Sequence, residues 1–276
     1  MSDARRLAIL GCGTMGEAIV GGLLRAGLFR SDELIATARR PEAAEALRGR
    51  QGVEVTLDNL AACRAATTVL LTFKPQRIAK VLHQPGMREA LAGKLVISIA
   101  AGVTLTQLTE WLPDSAVIRA MPNTPCLIDE GMTVLARGPR VGDAEVAAAT
   151  RLFETVGRCI EVEDKLMDAV TGLGGSGPAF VYVMIEAMAD GGVMMGLPRA
   201  VALQIAAQVF QGAARMVLQT SRHPAALKDQ VTTPAGCTIA GVLTMEDGRI
   251  RSVLARTIQE ATRVASELGK DAAADR

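Results

Sequence analysis

Residues 5–26 read RRLAILGCGTMGEAIVGGLLRA, and this stretch decides the fold. Arg5 to Leu10, apolar from Leu7 onward, predicts a buried strand. The strand enters Gly11-x-Gly13-x-x-Gly16, after which Thr14 to Ala26 sets Met15, Ile19, Leu23 and Ala26 at helical spacing. Strand, glycine turn and helix in that order are the context a dinucleotide fingerprint requires; glycines without it are a chance turn. Each glycine has a distinct task. Gly11 permits the tight turn, Gly13 lets backbone approach a pyrophosphate, and Gly16 lets the helix pack on the strand. The helix start adds free amides and the positive end of its dipole.

The pattern continues outward. Glu33 to Thr37, Val69 to Phe73, Leu95 to Ile99 and Val117 to Ala120 read as further strands, and Pro41 to Arg50 as a helix with proline in its first turn. Strands alternating with helices predict a parallel sheet covered on both faces. After Asp164 the texture changes to long helical stretches: Pro178 to Met195, Pro198 to Thr220 and Ile250 to Leu268. The expected architecture is an α/β Rossmann N-terminal domain (1–163) followed by an all-α C-terminal dimerisation domain (164–276). Pro198 to Thr220 is apolar around much of its circumference, which suits a subunit interface. The tail after Gly269 is expected to fray.

The end of the second strand bears on the cofactor. An NAD site usually carries an acid there to bond the ribose hydroxyls. This chain has Thr37-Ala38-Arg39-Arg40, no acid and two cations. The arginines can pair with the extra phosphate of NADPH, which is the preferred cofactor, or stand as ordinary surface charges; NADH stays open.

Composition excludes several classes. Lys plus Arg is 30 and Asp plus Glu is 29, without the basic excess of a nucleic-acid binder. The five cysteines, Cys12, Cys63, Cys126, Cys159 and Cys237, form no CxxC pair, so free thiols in a reducing, cytoplasmic setting are expected. No signal-peptide core or membrane-length apolar run is expected either. His83 and His223 sit in no cluster, and no metal-ligand spacing occurs. Carbonyl chemistry usually needs a general acid or base. A protonated cyclic imine is already an electrophile, so the scarcity of such groups permits imine reduction.

The helical half contains two glycine-rich stretches. Gly172-Leu-Gly-Gly-Ser-Gly-Pro178 lacks the lysine of a phosphate-binding loop. In LKDQVTTPAGCTIAGVLTMEDG, Leu227 to Gly248, the residues Thr232, Thr233, Gly236, Cys237 and Thr238 concentrate hydroxyls and amides before a helix. Such a turn can hold a carboxylate without arginine; it can also be an ordinary helix cap.

That last stretch resembles the signature of the pyrroline-5-carboxylate reductases. So do MPNTPCLIDEGMT from Met121, DAVTGLGGSGPAF from Asp168, EAMADGGVMMGLPR from Glu186 and FKPQ from Phe73, in order along essentially the whole chain. The resemblance implies NAD(P)H-dependent reduction of a cyclic imine to proline, by a homo-oligomer whose minimal unit is a dimer and which can extend to a ring of dimers. It implies that Leu10, Gly11, Cys12, Gly13, Thr14 and Met15 face the pyrophosphate. Ala38, Arg39 and Asn59 then lie toward the adenosine, Phe73, Lys74 and Pro75 along the nucleotide cleft, and Ala100 and Ala101 toward the nicotinamide. Thr233, Gly236, Cys237 and Thr238 hold the substrate carboxylate, with Thr238 near the imine nitrogen as the catalytic residue. Asp164 matches a pocket glutamate of some relatives.

Four positions depart from the pattern: Thr233 and Ala235, where the usual Ser-Pro-Gly-Gly is Thr233-Pro-Ala235-Gly, Gly174 where serine is usual, and Gln230 where some members have asparagine. A methyl at Ala235 is tolerable unless that residue needs positive φ. The nearest alternative, a 3-hydroxyacid dehydrogenase, calls for lysine where this chain has Val181. A non-catalytic nucleotide sensor is the alternative from another class; the intact turn at Thr232 to Thr238 speaks against it.

Overall fold

The computed structural model describes residues 6–274. One compact unit comprises the chain up to Ser176 together with the part from Glu260 onward; the other is Gly177–Gln259.

The first unit is built on a sheet of eight strands: β1 Leu7–Leu10, β2 Leu34–Thr37, β3 Glu54–Thr56, β4 Thr68–Leu71, β5 Leu95–Ser98, β6 Ala116–Met121, β7 Gly131–Arg137 and β8 Gly157–Glu161. Their spatial order is β3-β2-β1-β4-β5-β6-β7-β8. The first six are parallel; β7 pairs antiparallel with β6 and parallel with β8. The interleaved helices are α1 Thr14–Arg25, α2 Pro41–Gln51, α3 Asn59–Ala65, α4 Pro75–Leu82, α5 Met87–Leu91, α6 Leu105–Trp111, α7 Asp143–Glu154 and the single turn α8 Met167–Val170.

Strand β1 shows why its sequence is apolar throughout. Leu7 and Ile9 enter one hydrophobic cluster while Ala8 and Leu10 enter another, so both faces of the strand are buried. Ile19, Val20 and Leu23 of α1 belong to the first cluster, and Ile78, Val81 and Leu82 of α4 to the second. Chain order changes direction between β1 and β4, and in parallel sheets ligands bind at the carboxyl ends of the strands beside such a switch.

Two sequence expectations need correction here. The sheet is not wholly parallel, and β3, β7 and β8 lie in segments where no strand was expected. Strand β3 buries only Val55, and β8 is largely exposed, so neither shows an apolar run. Strand β7 returns beside β6 after a short 3-10 turn at Thr124–Ile128, which breaks the strand–helix rhythm.

The second unit is helical: α9 Gly177–Met194, α10 Arg199–Thr220, α11 Pro224–Val231, α12 Cys237–Asp247, and the first part of α13 Ile250–Ala274. Helices α9 and α10 pack through Ala189, Ala202 and Ala206. A Cβ on Gly192 would lie 3.1 Å from that of Ala202, so small residues set this close approach. Of the 22 residues of α10 only Ala202 and Ala206 are buried. Met194 and Met195 are each 84% exposed. Helix α10 is also long and apolar enough to cross a membrane by length and composition, contrary to expectation. Gln204, Gln208 and Gln211 interrupt its apolar run without adding charge. Helix α13 continues to Ala274, into the tail expected to fray. Residues 275–276 and Arg5 lie outside the described residues.

Candidate functional site

The glycine turn sits at the carboxyl end of β1, where its sequence placed it. Gly11 has φ +76, and a Cβ there would lie 2.2 Å from the Phe73 ring. Gly16 is closed off by the Thr72 hydroxyl at 2.9 Å and by Ile9. Gly13 differs: a Cβ on it would meet only the Gly11 carbonyl oxygen, at 3.9 Å, and the residue is exposed. The turn is thus closed at Gly11 and Gly16 and open at Gly13, as the approach of a pyrophosphate requires.

Backbone bonds fix the turn. The amide of Gly11 donates to the Thr37 hydroxyl oxygen at 2.8 Å, and that of Cys12 to the Thr37 carbonyl at 2.8 Å. The first turn of α1, from Thr14 and Met15, is capped by no side chain, so its amides are left for an anion. Leu10 is buried beneath. Burial pushes the Cys12 thiol up to about 12, reinforced by the nearby Glu17 carboxylate, so it stays uncharged. Glu17 would itself repel an anion, but Arg50 grips both its oxygens at 2.6 and 2.9 Å. That hydrogen-bonded pairing holds the Glu17 carboxyl below its ordinary range.

The neighbouring strand ends supply the remaining expected residues of this unit. Ala38 follows β2, half-buried, and its amide donates to Thr56 at 3.1 Å. Arg39 and Arg40 are exposed, and neither forms an ion pair among the described residues. Asn59 opens α3, and its Oδ1 accepts from the Thr37 hydroxyl at 2.7 Å. After β4, Phe73 is buried under the guanidinium of Arg77, Lys74 is exposed and Pro75 begins α4. After β5 come buried Ala100 and half-buried Ala101, then Gly102 at φ +77.

Residues that sequence reasoning missed lie at the far end of this unit. Arg119 on β6 is almost wholly buried and pairs with Asp164 at 3.1 Å and Asp168 at 3.3 Å. The Asp164 carboxylate is therefore engaged within its own unit. Asn123 accepts from the Met132 amide at 2.9 Å and donates to the Gly174 carbonyl at 3.1 Å. It ties β7 to a π-helical turn at Thr171–Gly175. An arginine inside an apolar strand was the available signal for the first; the second lies in the quoted stretch from Met121, with nothing in it to name its partners.

In the helical unit the Thr232 to Thr238 stretch is a turn between α11 and α12. Thr232 bonds back to the Lys228 and Asp229 carbonyls, ending α11. The Gly236 amide donates to the Thr233 carbonyl at 3.1 Å, and a Cβ on Gly236 would lie 2.5 Å from the Thr233 hydroxyl. Ala235 stands at φ +56, the condition under which its methyl is strained. Gly236, not a threonine, occupies the cap position of α12, and no side chain caps the helix. Exposed Cys237 and half-buried Thr238 form its first turn, and the Thr238 hydroxyl has no partner within the chain among the described residues. The helix-cap reading of Thr238 is thereby removed.

All five cysteines are free. Among the described residues no group of three His, Cys, Asp or Glu side chains is placed to hold a metal.

Comparison with known proteins places the chain. The family model for pyrroline-5-carboxylate reductase dimerisation matches residues 164–268, and the one described as NADP oxidoreductase, coenzyme F420-dependent, matches residues 6–102. A pyrroline-5-carboxylate reductase from Schizosaccharomyces pombe is 45% identical, over 95% of this chain and 98% of its own length. One from Synechocystis is 43% identical, over 96% and 98%. A solved Coxiella burnetii pyrroline-5-carboxylate reductase is 30% identical with a TM-score of 0.90, covering 96% of this chain and 98% of its own. A Plasmodium falciparum pyrroline carboxylate reductase with NADP bound is 26% identical with a TM-score of 0.86, covering 97% and 99%. With this similarity running from the glycine turn through the helical unit, the chain belongs to the pyrroline-5-carboxylate reductase family.

Proposed function

We propose that the chain reduces L-1-pyrroline-5-carboxylate to L-proline, the last step of proline biosynthesis, with NADPH as preferred donor and NADH as a possible one. The observation that carries this reading is the uncapped start of α12. The amides of Cys237, Thr238 and Ile239 and a free Thr238 hydroxyl are presented there by the Thr233–Gly236 turn, in a chain of this family.

The residues divide the work. Gly11 to Met15, with Leu10 beneath, hold the pyrophosphate; Ala38, Arg39 and Asn59 take the adenosine end. Phe73, Lys74 and Pro75 line the nucleotide, and Ala100 and Ala101 border the nicotinamide. The nicotinamide cofactor, when bound, supplies the hydride. First-turn amides of α12 have no helical acceptor, so with Thr233 and Gly236 they suit a carboxylate and no cation is needed. The Thr238 hydroxyl steadies the proton on the ring nitrogen as the adjacent carbon is reduced. One hydride and that one proton convert the imine to the secondary amine. Asp164, paired with Arg119, is the remaining substrate-side residue of this reading. In this reading residues 1–163 serve the cofactor and 164–276 the substrate and the second subunit.

The exposed apolar surface of α9 and α10, within residues matched by the dimerisation model, supports a homo-oligomer with the dimer as its unit, extendable to a ring of dimers. Five free thiols support a cytoplasmic location. Steady-state oxidation of NADPH and of NADH with racemic pyrroline-5-carboxylate, with proline identified as product, tests the reading. Cofactor oxidation without proline would overturn it.

A further inference from the structure

The glycine turn is not shaped by its glycines alone. Thr37, the last residue of β2, is 1% exposed and joins three elements. Its hydroxyl oxygen accepts from the Gly11 amide at 2.8 Å, and its hydroxyl donates to Asn59 Oδ1 at 2.7 Å. Its carbonyl accepts from the Cys12 amide at 2.8 Å.

A threonine hydroxyl has a single proton. Since the oxygen is accepting from Gly11, that proton goes to Asn59 and turns the acceptor end of the asparagine amide inward. The Asn59 amino group makes no hydrogen bond within the chain among the described residues, and the residue is half-buried. Asn59 therefore has two free N–H donors to offer a ligand, while its Oδ1 is engaged by the Thr37 hydroxyl. Arg39 and Arg40 beyond the same strand end add only donors. A ribose diol needs an acceptor for its protons, which is why the position commonly carries an acid. A phosphate needs only donors.

We propose that Thr37 is a positioning residue for cofactor choice, holding Asn59 donor-side outward so that this end of the site accepts the extra phosphate of NADP and disfavours the free diol of NAD. The inference rests on the NADPH reading above. It acts through Asn59, since Thr37 is itself buried.

The test is the affinity of the purified protein for NADP+ and NAD+, measured by calorimetry without substrate, for the wild type, Thr37→Val, Thr37→Ser and Asn59→Ala. Any slackening of the glycine turn reaches both dinucleotides through their shared pyrophosphate and leaves the affinity ratio untouched. The ratio therefore isolates the role of Asn59. Thr37→Val is expected to lower the NADP+ to NAD+ preference about tenfold, the scale of one lost hydrogen bond to a charged group. Thr37→Ser keeps the hydroxyl and the ratio. Asn59→Ala collapses the ratio as far as Thr37→Val does, and carries the test alone if the valine variant misfolds. A wild-type ratio in Thr37→Val or in Asn59→Ala, or failure of serine to preserve it, overturns the inference and leaves the NADPH reading standing. A wild type without NADP+ preference overturns both.

Discussion

Two turns in this molecule share a form and are built by different means. The turn after β1 and the turn before α12 both deliver a chain to a helix start that no side chain caps. The first takes its left-handed residue from glycine, Gly11 at φ +76, and is anchored to the next strand by Thr37. The second places Ala235 at φ +56 and is held by its own Thr233–Gly236 bond. The turn after β1 is thus supported by a buried sheet and the turn before α12 by local geometry. Perturbing the first should cost affinity through shape; perturbing the second should show in catalysis and local strain.

The sharpest test of the turn after β1 is Gly13→Val. A Cβ on Gly13 meets only the Gly11 carbonyl at 3.9 Å, so the variant is expected to fold with an unchanged melting temperature. It should lose NADPH affinity by about a hundredfold or more, roughly 3 kcal/mol, because the side chain takes the pyrophosphate's space. Intact affinity in the folded variant would show that the turn is open for another reason.

The helical unit that carries the second turn can be probed through its proposed subunit contact. Ile205 on α10 is 50% exposed in the single chain. With α10 in the proposed subunit contact, Ile205→Asp is expected to weaken the dimer by several kcal/mol, on the order of a hundredfold or more. Sedimentation should show lighter species at low concentration, with lowered thermal stability. An unaltered dimer would place the contact elsewhere.

Thr238→Ala separates chemistry from capping. The hydroxyl caps nothing, so stability and NADPH affinity should stay near wild type. The expected change is a fall in kcat of about tenfold, roughly 1.4 kcal/mol of transition-state interaction. A normal kcat would leave only the amides of α12 at work.

Replacing Arg39 and Arg40 with alanine should weaken NADPH binding about tenfold and NADH much less. Added salt should shrink the difference, since both arginines are exposed. Equal losses would show that the cations do not read the extra phosphate.

The smallest effect is expected at Ala235. Glycine there relieves left-handed strain at some entropic cost in the unfolded chain, for a net gain of about 1 kcal/mol or less. For a chain of this size that is a melting-temperature rise of about 2–4 °C at most. A lowered melting temperature would mean that the alanine methyl makes a contact worth more than the strain.

Much of the fold was legible because its signals are local. Strands β1, β2, β4, β5 and β6 are apolar runs, and the glycine spacing needs only a few consecutive residues. Strands β3 and β8 were hidden by exposure, since Val55 is the one buried residue of β3 and β8 alternates without an apolar face. The site was legible to the same extent. Gly11, Gly13 and Gly16 could be assigned separate tasks in advance, and the Thr233 to Thr238 turn could be located. Its cap residue could not be named, because cap identity depends on where the helix starts.

What the sequence by itself determined was the family, the glycine turn with its helix, the missing acid after β2, and the helical second half. Each of these is written in neighbouring residues or helical periodicity. What only the tertiary structure decided was the strain at Ala235, the engagement of Asp164 by a buried Arg119, and the bonds from Thr37 to Gly11 and Asn59. Thr37 is 26 residues from Gly11 and 22 from Asn59. Parallel pairing of β1, β2 and β3 brings the three to one edge of the sheet, and a hydrogen bond between residues so far apart exists only once that register has formed.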